Sequence, residues 1–153
     1  LLYSKKDASE NDIQSALDIS QSSEFVNKKP EGIHSEINQG GTNVSGGQRQ
    51  RLSIARAIVR KPEIYIFDDS FSALDFKTDA KLREALATSC KETKSTVLLV
   101  AQRISSILHA DQIIVLDEGR MVGKGTHSEL MESCKVYQQI ASSQLTKEEL
   151  ANV

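Results

Sequence analysis

The sequence predicts an α/β protein: a parallel sheet core covered by helices, preceded by a stretch that carries helical patterns and no strand pattern. Two observations predict it. Ile64–Phe67, Ser95–Ala101 and Ile113–Leu116 are short, continuously apolar runs, the pattern of strands buried on both faces. The first two flank a segment whose apolar residues recur at helical spacing, and strands alternating with helices call for parallel pairing.

In chain order, Ser9-Glu10-Asn11-Asp12 is a capping-box-like start, and Ile13, Ala16 and Leu17 continue it into a short amphipathic helix. Ser22 or Ser23 caps a second short helix through Phe25 and Val26, stopped before Lys29-Pro30. Residues 30–43 are polar and glycine-bearing, and read as a loop. Ser45 is an N-cap for a longer helix. Its apolar residues are Leu52, Ala55, Ile58 and Val59, while Arg49, Ser53, Arg56 and Arg60 form a stripe on another face. Lys77–Cys90 is helical with Leu82, Ala85 and Leu86 on one side. Asp117-Glu118-Gly119-Arg120 reads as a hairpin turn into Met121–Gly125, an antiparallel edge pair. Ser128–Met131 and Val136–Gln144 read as closing helices, and Lys147-Glu148-Glu149 as a solvated end.

Chemistry concentrates in two adjoining stretches. The helix beginning Ser45-Gly46-Gly47-Gln48 presents unpaired N–H groups and the positive end of its dipole, and the glycines admit a close approach, which together favour a phosphate. Taken alone, it also reads as an ordinary capped helix. Downstream, the Ile64–Phe67 strand ends in Asp68-Asp69, and buried carboxylates at a strand's end commonly serve a cation. Ser72-Ala73-Leu74-Asp75 follows.

With these residues in order, the sequence resembles the nucleotide-binding domain of ABC ATPases. Ser45 to Gln48 matches the family's signature motif, with Val44 where leucine is usual; Ile64 to Asp68 matches its Walker B strand, and Ser72 to Asp75 its D-loop. The resemblance spans essentially the whole chain but only the C-terminal half or so of that domain. It implies part of a RecA-like P-loop NTPase core, with residues 1–60 as most of an inserted α-helical subdomain, 61–145 as the core and 146–153 as a tail. It also implies ATP and Mg²⁺ as cofactors, with Asp68 holding the metal. The loop Glu36–Gly41 falls where exporter-type members meet their membrane domains. No Gly-x-x-x-x-Gly-Lys-Ser/Thr phosphate loop occurs, so this polypeptide alone is expected to be inactive and not to hold ATP tightly.

Two departures from the family pattern matter. The water-orienting position after the Walker B aspartate, normally glutamate, is Asp69, and the switch histidine position is Gln102. Aspartate withdraws the carboxylate by about 1.5 Å, and a misplacement of about 1 Å can cost on the order of 100-fold in rate. Glutamine donates a hydrogen bond but carries no titratable charge. In the family two domains meet head to tail, so Asp68, Asp69 and Gln102 serve the chain's own site. Ser45, Gly46, Gly47 and Gln48 serve the partner's, and Asp75 lies at the seam. An altered own site beside an intact donated motif implies a second, non-identical half-transporter as partner, with this chain the degenerate half of a heterodimeric exporter.

Composition is compatible. In 153 residues the net charge is −2, with no basic surplus to favour nucleic acid. Cys90 and Cys134 stand far apart with no histidine at metal-ligand spacing, and are expected as free cytosolic thiols. The longest apolar run, Val97–Ala101, is far short of the ~20 residues that cross a bilayer. Leu1 begins mid-pattern, as in a piece of a longer protein whose own transmembrane domains lie elsewhere. The expected place is the cytoplasmic face of the cell membrane. The rival readings are a soluble ABC ATPase acting on nucleic acid or ribosomes, and a non-enzymatic nucleotide-gated clamp. His127 reads as a residue of a helix-capping region, and His34 and His109 as surface or loop residues.

Overall fold

Local hydrogen bonding starts the helices close to where the sequence places them. The computed structural model describes residues 1–145, in two compact units, 1–98 and 99–145. The proposed tail 146–153, with its Lys147–Glu149 charges, lies outside the described residues.

In the first unit, α1 (Glu10–Ile19) begins on Ser9, whose Oγ accepts from the Asp12 N–H at 3.1 Å while Asp12 Oδ2 accepts from the Ser9 N–H at 3.2 Å. Two donors at the helix start are thereby satisfied. Lys61 Nζ reaches Asp12 Oδ1 at 2.6 Å, and with Ser9 it holds that carboxyl well below the usual carboxylate range. Ile13, Ala16 and Leu17 are buried, as their spacing predicts. The second helix, α2 (Ser23–Asn27), follows Ser22, but that hydroxyl accepts from Ser20 Oγ at 2.8 Å instead of capping the helix. The segment read as a loop contains two short 3-10 turns, Gly32–His34 and Gln39–Gly41. Ser45 then starts α3 (Gly46–Ile58), which buries Ile54, Ala55 and Ile58 and leaves Arg49, Ser53, Arg56 and Arg60 exposed.

A β-α-β unit follows: β1 (Ile64–Asp68), α4 (Phe76–Thr93) and β2 (Thr96–Val100), with β1 and β2 paired in a small parallel sheet. Along α4, Leu82 is fully buried, and one such side chain contributes roughly 1.5–3 kcal/mol. Asp79 is also buried, and Arg83 one turn later grips it through Nε–Oδ1 at 3.0 Å and Nη2–Oδ2 at 3.1 Å. That fork supplies the pairing a buried carboxylate needs. The helix ends on Lys94 in the left-handed conformation, φ 56°.

Two expectations are corrected here. The strands are not buried on both faces: Tyr65 and Phe67 are buried, but Ile66 between them is 70% exposed, and Leu98 and Val100 of β2 are exposed too. Successive strand side chains point to opposite faces, and the described residues cover only one. Nor do the three apolar runs share one ladder. The third run, in the second unit, is β3 (Ile113–Asp117), and among the described residues it pairs only with β4 (Arg120–Gly125).

That hairpin is antiparallel, as expected, from Ile113 opposite Gly125 to Asp117 opposite Arg120. Its two-residue turn has Glu118 at φ 46° and Gly119 at φ 76°, the paired positive values whose twist matches the flanking strands. Helix α5 (His127–Ser133) starts on a Thr126/Glu129 capping box, and α6 (Lys135–Gln144) follows directly. Ile104, Ile113, Val115, Leu130, Cys134, Tyr137 and Ala141 form this unit's core. Both cysteines are free and buried, and burial pushes the Cys90 thiol above its ordinary range, as suits a packing residue.

Candidate nucleotide site

The first turn of α3 is built by reciprocal capping. Ser45 Oγ accepts from the Gln48 N–H at 3.3 Å, and Gln48 Oε1 accepts from the Ser45 N–H at 3.0 Å. These bonds hold the Ser45 and Gln48 side chains against their own backbone. The N–H groups of Gly46 and Gly47 are left without an intrahelical partner. The first turn contains no acidic residue, so nothing in it offsets the positive end of the helix dipole. The two glycines differ. A Cβ at Gly46 would meet nothing within 4 Å, whereas one at Gly47 would sit 3.3 Å from the Ala73 carbonyl oxygen. Gly46 opens outward to whatever approaches; Gly47 makes room for the chain's own backbone.

The Asp69–Asp75 segment lies against this helix. Gln50, one turn beyond the glycines, donates from Nε2 to the Asp69 carbonyl at 3.3 Å and accepts at Oε1 from the Ala73 N–H at 3.0 Å. Within the segment, Ser72 Oγ donates to the Asp69 carbonyl at 3.0 Å, and Phe71 and Leu74 are buried. Asp69 has φ 47°, a left-handed conformation in which short polar side chains are several-fold enriched. Aspartate therefore suits this backbone whatever its chemistry. The Asp75 carboxylate caps α4, accepting from the Thr78 N–H at 3.0 Å, a bond that lowers its pKa. The family resemblance places Asp75 at a dimer seam; the structure adds its capping role.

Asp68 and Asp69 are exposed, not buried as expected, because β1 ends where the described residues provide no cover. An open groove of about 400 Å³ between α3 and β1 is lined by Ser53, Arg56 and Arg60 together with Asp68 and Asp69. Among the described residues no cluster of three or more His, Cys, Asp or Glu side chains is placed to hold a metal ion. A single exposed carboxylate nevertheless fits Mg²⁺ that arrives on phosphates, since that ion takes one or two carboxylates and draws its other oxygens from phosphate and water. Gln102 belongs to the second unit; it is exposed, and its carbonyl accepts from Gln144 Nε2 at 2.9 Å.

The structure thus brings Ser45–Gln48 and Asp69–Asp75 into contact and supplies a partner that sequence reasoning missed, Gln50. The helical spacing of Gly47 and Gln50, three positions apart, was the available signal. His127 stands in a helix-capping region, as expected. It opens α5, is 4% exposed, and lies with Nδ1 2.7 Å from the Tyr137 hydroxyl.

Comparison with known proteins gives the family. Residues 3–72 match the ABC transporter family model. The ABC transporter ATP-binding protein YfiB of Bacillus subtilis is 43% identical over 97% of this chain. A Rickettsia felis protein named as an export ATP-binding/permease protein is 38% identical over 95% of it. The structure of a bacterial Atm1-family ABC exporter with ATP bound superposes with a TM-score of 0.85 and 31% identity, again over 95% of this chain. The chain is part of an ABC transporter ATP-binding domain. It spans about a quarter of the length of these relatives. Among its described residues no helix is long and apolar enough to cross a membrane.

Proposed function

We propose that this segment belongs to an exporter whose transport step is driven by ATP binding and hydrolysis, and that it forms parts of two different nucleotide sites. One observation carries the reading: α3 begins with an open Gly46, two backbone N–H groups without an intrahelical partner and no acid in its first turn. Such a start attracts an anion, and a triphosphate is the anion that ABC ATP-binding domains handle. In this reading Ser45, Gly46, Gly47 and Gln48 close on the γ-phosphate of a nucleotide held by a second, non-identical half-transporter. Asp68 holds the Mg²⁺ of the chain's own nucleotide. Asp69 takes the water-orienting role and Gln102 the γ-phosphate contact. The protein works at the cytoplasmic face of a membrane through its own transmembrane domains.

Asp69 and Gln102 together make the own site slow. A shortened carboxylate orients water less well, and a neutral amide gives the γ-phosphate less charge compensation than an imidazolium. The reading is tested on the full-length protein assembled with its partner. Gly46→Asp puts a carboxylate in the open space above the first turn and should remove most steady-state ATP turnover. Asp68→Asn, acting on the slow site, should leave a substantial part. Equal, near-complete loss from both substitutions would contradict an asymmetric pair. Replacing Asp69 by Glu together with Gln102 by His should raise kcat at the slow site; unchanged turnover with nucleotide still bound would exonerate those residues.

A further inference from the structure

Gln50 is not needed to build α3, whose cap and first turn are complete without it, yet its amide makes both of its long-range bonds to a single loop. Nε2 donates to the Asp69 carbonyl at 3.3 Å, and Oε1 accepts from the Ala73 N–H at 3.0 Å. The two backbone partners fix the orientation of the amide, because a carbonyl can meet only the NH₂ end and an N–H only the oxygen. Nearby, a Cβ on Gly47 would sit 3.3 Å from the Ala73 carbonyl oxygen, a tight contact that shows how closely the loop backbone approaches the helix. Side chain and backbone thus hold the same loop from two points on one face of α3.

The loop is also tied within itself. Ser72 closes it onto the Asp69 carbonyl through its hydroxyl, at 3.0 Å, and its N–H, at 3.4 Å. Phe71 and Leu74 anchor it in the core, and Asp75 passes it on to α4 by capping that helix. A loop so tied and held at two points transmits displacement where a free one would absorb it.

We propose that Gln50 is a positioning residue that latches the Asp69–Ala73 loop to α3, so that the Asp68-Asp69 carboxylates and the Ser45–Gln48 helix start move as one body. Resting on the two-site reading above, this makes Gln50 a mechanical link between the chain's own nucleotide and the one its α3 reaches. Only a primary amide of this length serves. Leucine offers neither bond, glutamate keeps the acceptor and loses the donor, and asparagine falls short by one methylene.

The test uses the full-length protein with its partner and compares wild type, Gln50→Leu and Gln50→Glu. Amide hydrogen exchange across residues 69–75 reads the latch directly and does not depend on activity. Gln50→Leu should speed exchange of the Ala73 amide about tenfold, with Gln50→Glu in between. The same substitution should lower kcat for ATP about tenfold while KM and the melting temperature stay near wild type, with partial rescue in Gln50→Glu. Unchanged exchange in Gln50→Leu overturns the latch. Faster exchange with unchanged kcat overturns the coupling, as does a rise in KM that accounts for all of the lost activity. A wild type that does not bind ATP would overturn the functional reading instead, and exchange would still judge the latch.

Discussion

Two helix starts in this molecule use the same device to opposite ends. At α5, Thr126 and Glu129 form a capping box, and at α3, Ser45 and Gln48 form another. The hydrogen bonds correspond atom for atom, but the charge does not. Glu129 places a carboxylate in the first turn of α5, where it offsets the dipole, and a Cβ on Gly125 would strike that carboxylate at 2.7 Å. At α3 the box is closed by a neutral amide, the space above Gly46 is open, and the dipole has no compensation from within the turn. The first start spends its polarity on stability and the second keeps it for a ligand. A cap shows where a helix begins; the charge of the residue three positions on shows whether that beginning is available.

The surroundings follow the same division. Next to Glu129's helix, buried polarity is paired within the unit, as in the His127–Tyr137 bond. Around α3 the carboxylates Asp68 and Asp69 stand exposed.

Substitutions can break this contrast. The largest effect is expected from Gly46→Asp, which supplies α3 with the negative charge it lacks. Turnover in the assembled transporter should fall by on the order of 100-fold, the loss of a preorganised anion contact, and steady-state ATPase assays would read it. Gln48→Glu is the subtler exchange, converting the α3 box into the α5 type without closing the space above Gly46. It should cost roughly tenfold in turnover, about 1.4 kcal/mol of lost anion attraction, while raising stability by about 0.3–1 kcal/mol. Chemical denaturation and ATPase assay on one preparation would show the two moving in opposite directions; a parallel change would refute the contrast.

At α5 and α6 of the second unit the effects should be on stability alone. Tyr137→Phe leaves His127 Nδ1 buried without its partner and should cost about 1–3 kcal/mol, measurable as a shift in the denaturation midpoint. Burial, with His109 nearby, lowers the His127 pKa below its ordinary 6.5. Between the lowered value and 6.5 the unfolded chain binds the proton and the folded chain does not, so stability rises with pH there. The contribution is complete above 6.5 and is lost as pH falls through the folded-state value. His127→Gln should remove that part of the pH dependence, seen by comparing denaturation midpoints from pH 7.5 down to 5. Smallest of all, Glu129→Gln should cost α5 about 0.3–1 kcal/mol and leave ATP turnover unchanged.

Sequence by itself determined what is settled within a few residues. The Ser9 and Ser45 helix starts rest on bonds three positions apart, and the hairpin turn rests on the backbone of Glu118 and Gly119. The order of the signature helix, the strand ending in Asp68 and the Ser72–Asp75 loop was equally legible, because its spacing is rigid along the chain. Tertiary structure alone decided which faces those elements turn outward. An apolar run reads the same whether one face is covered or two, so the exposure of Ile66 and of both carboxylates had no local signature. The different work of Gly46 and Gly47 was hidden likewise. It depends on Ala73, which Gln50 meets across 23 positions of sequence, and nothing in a 3.6-residue period records what lies on the far side of a helix. His127 reads as a cap-region histidine until α6 folds back and brings the Tyr137 hydroxyl to its ring, because a side chain's burial is set by the elements that pack over it.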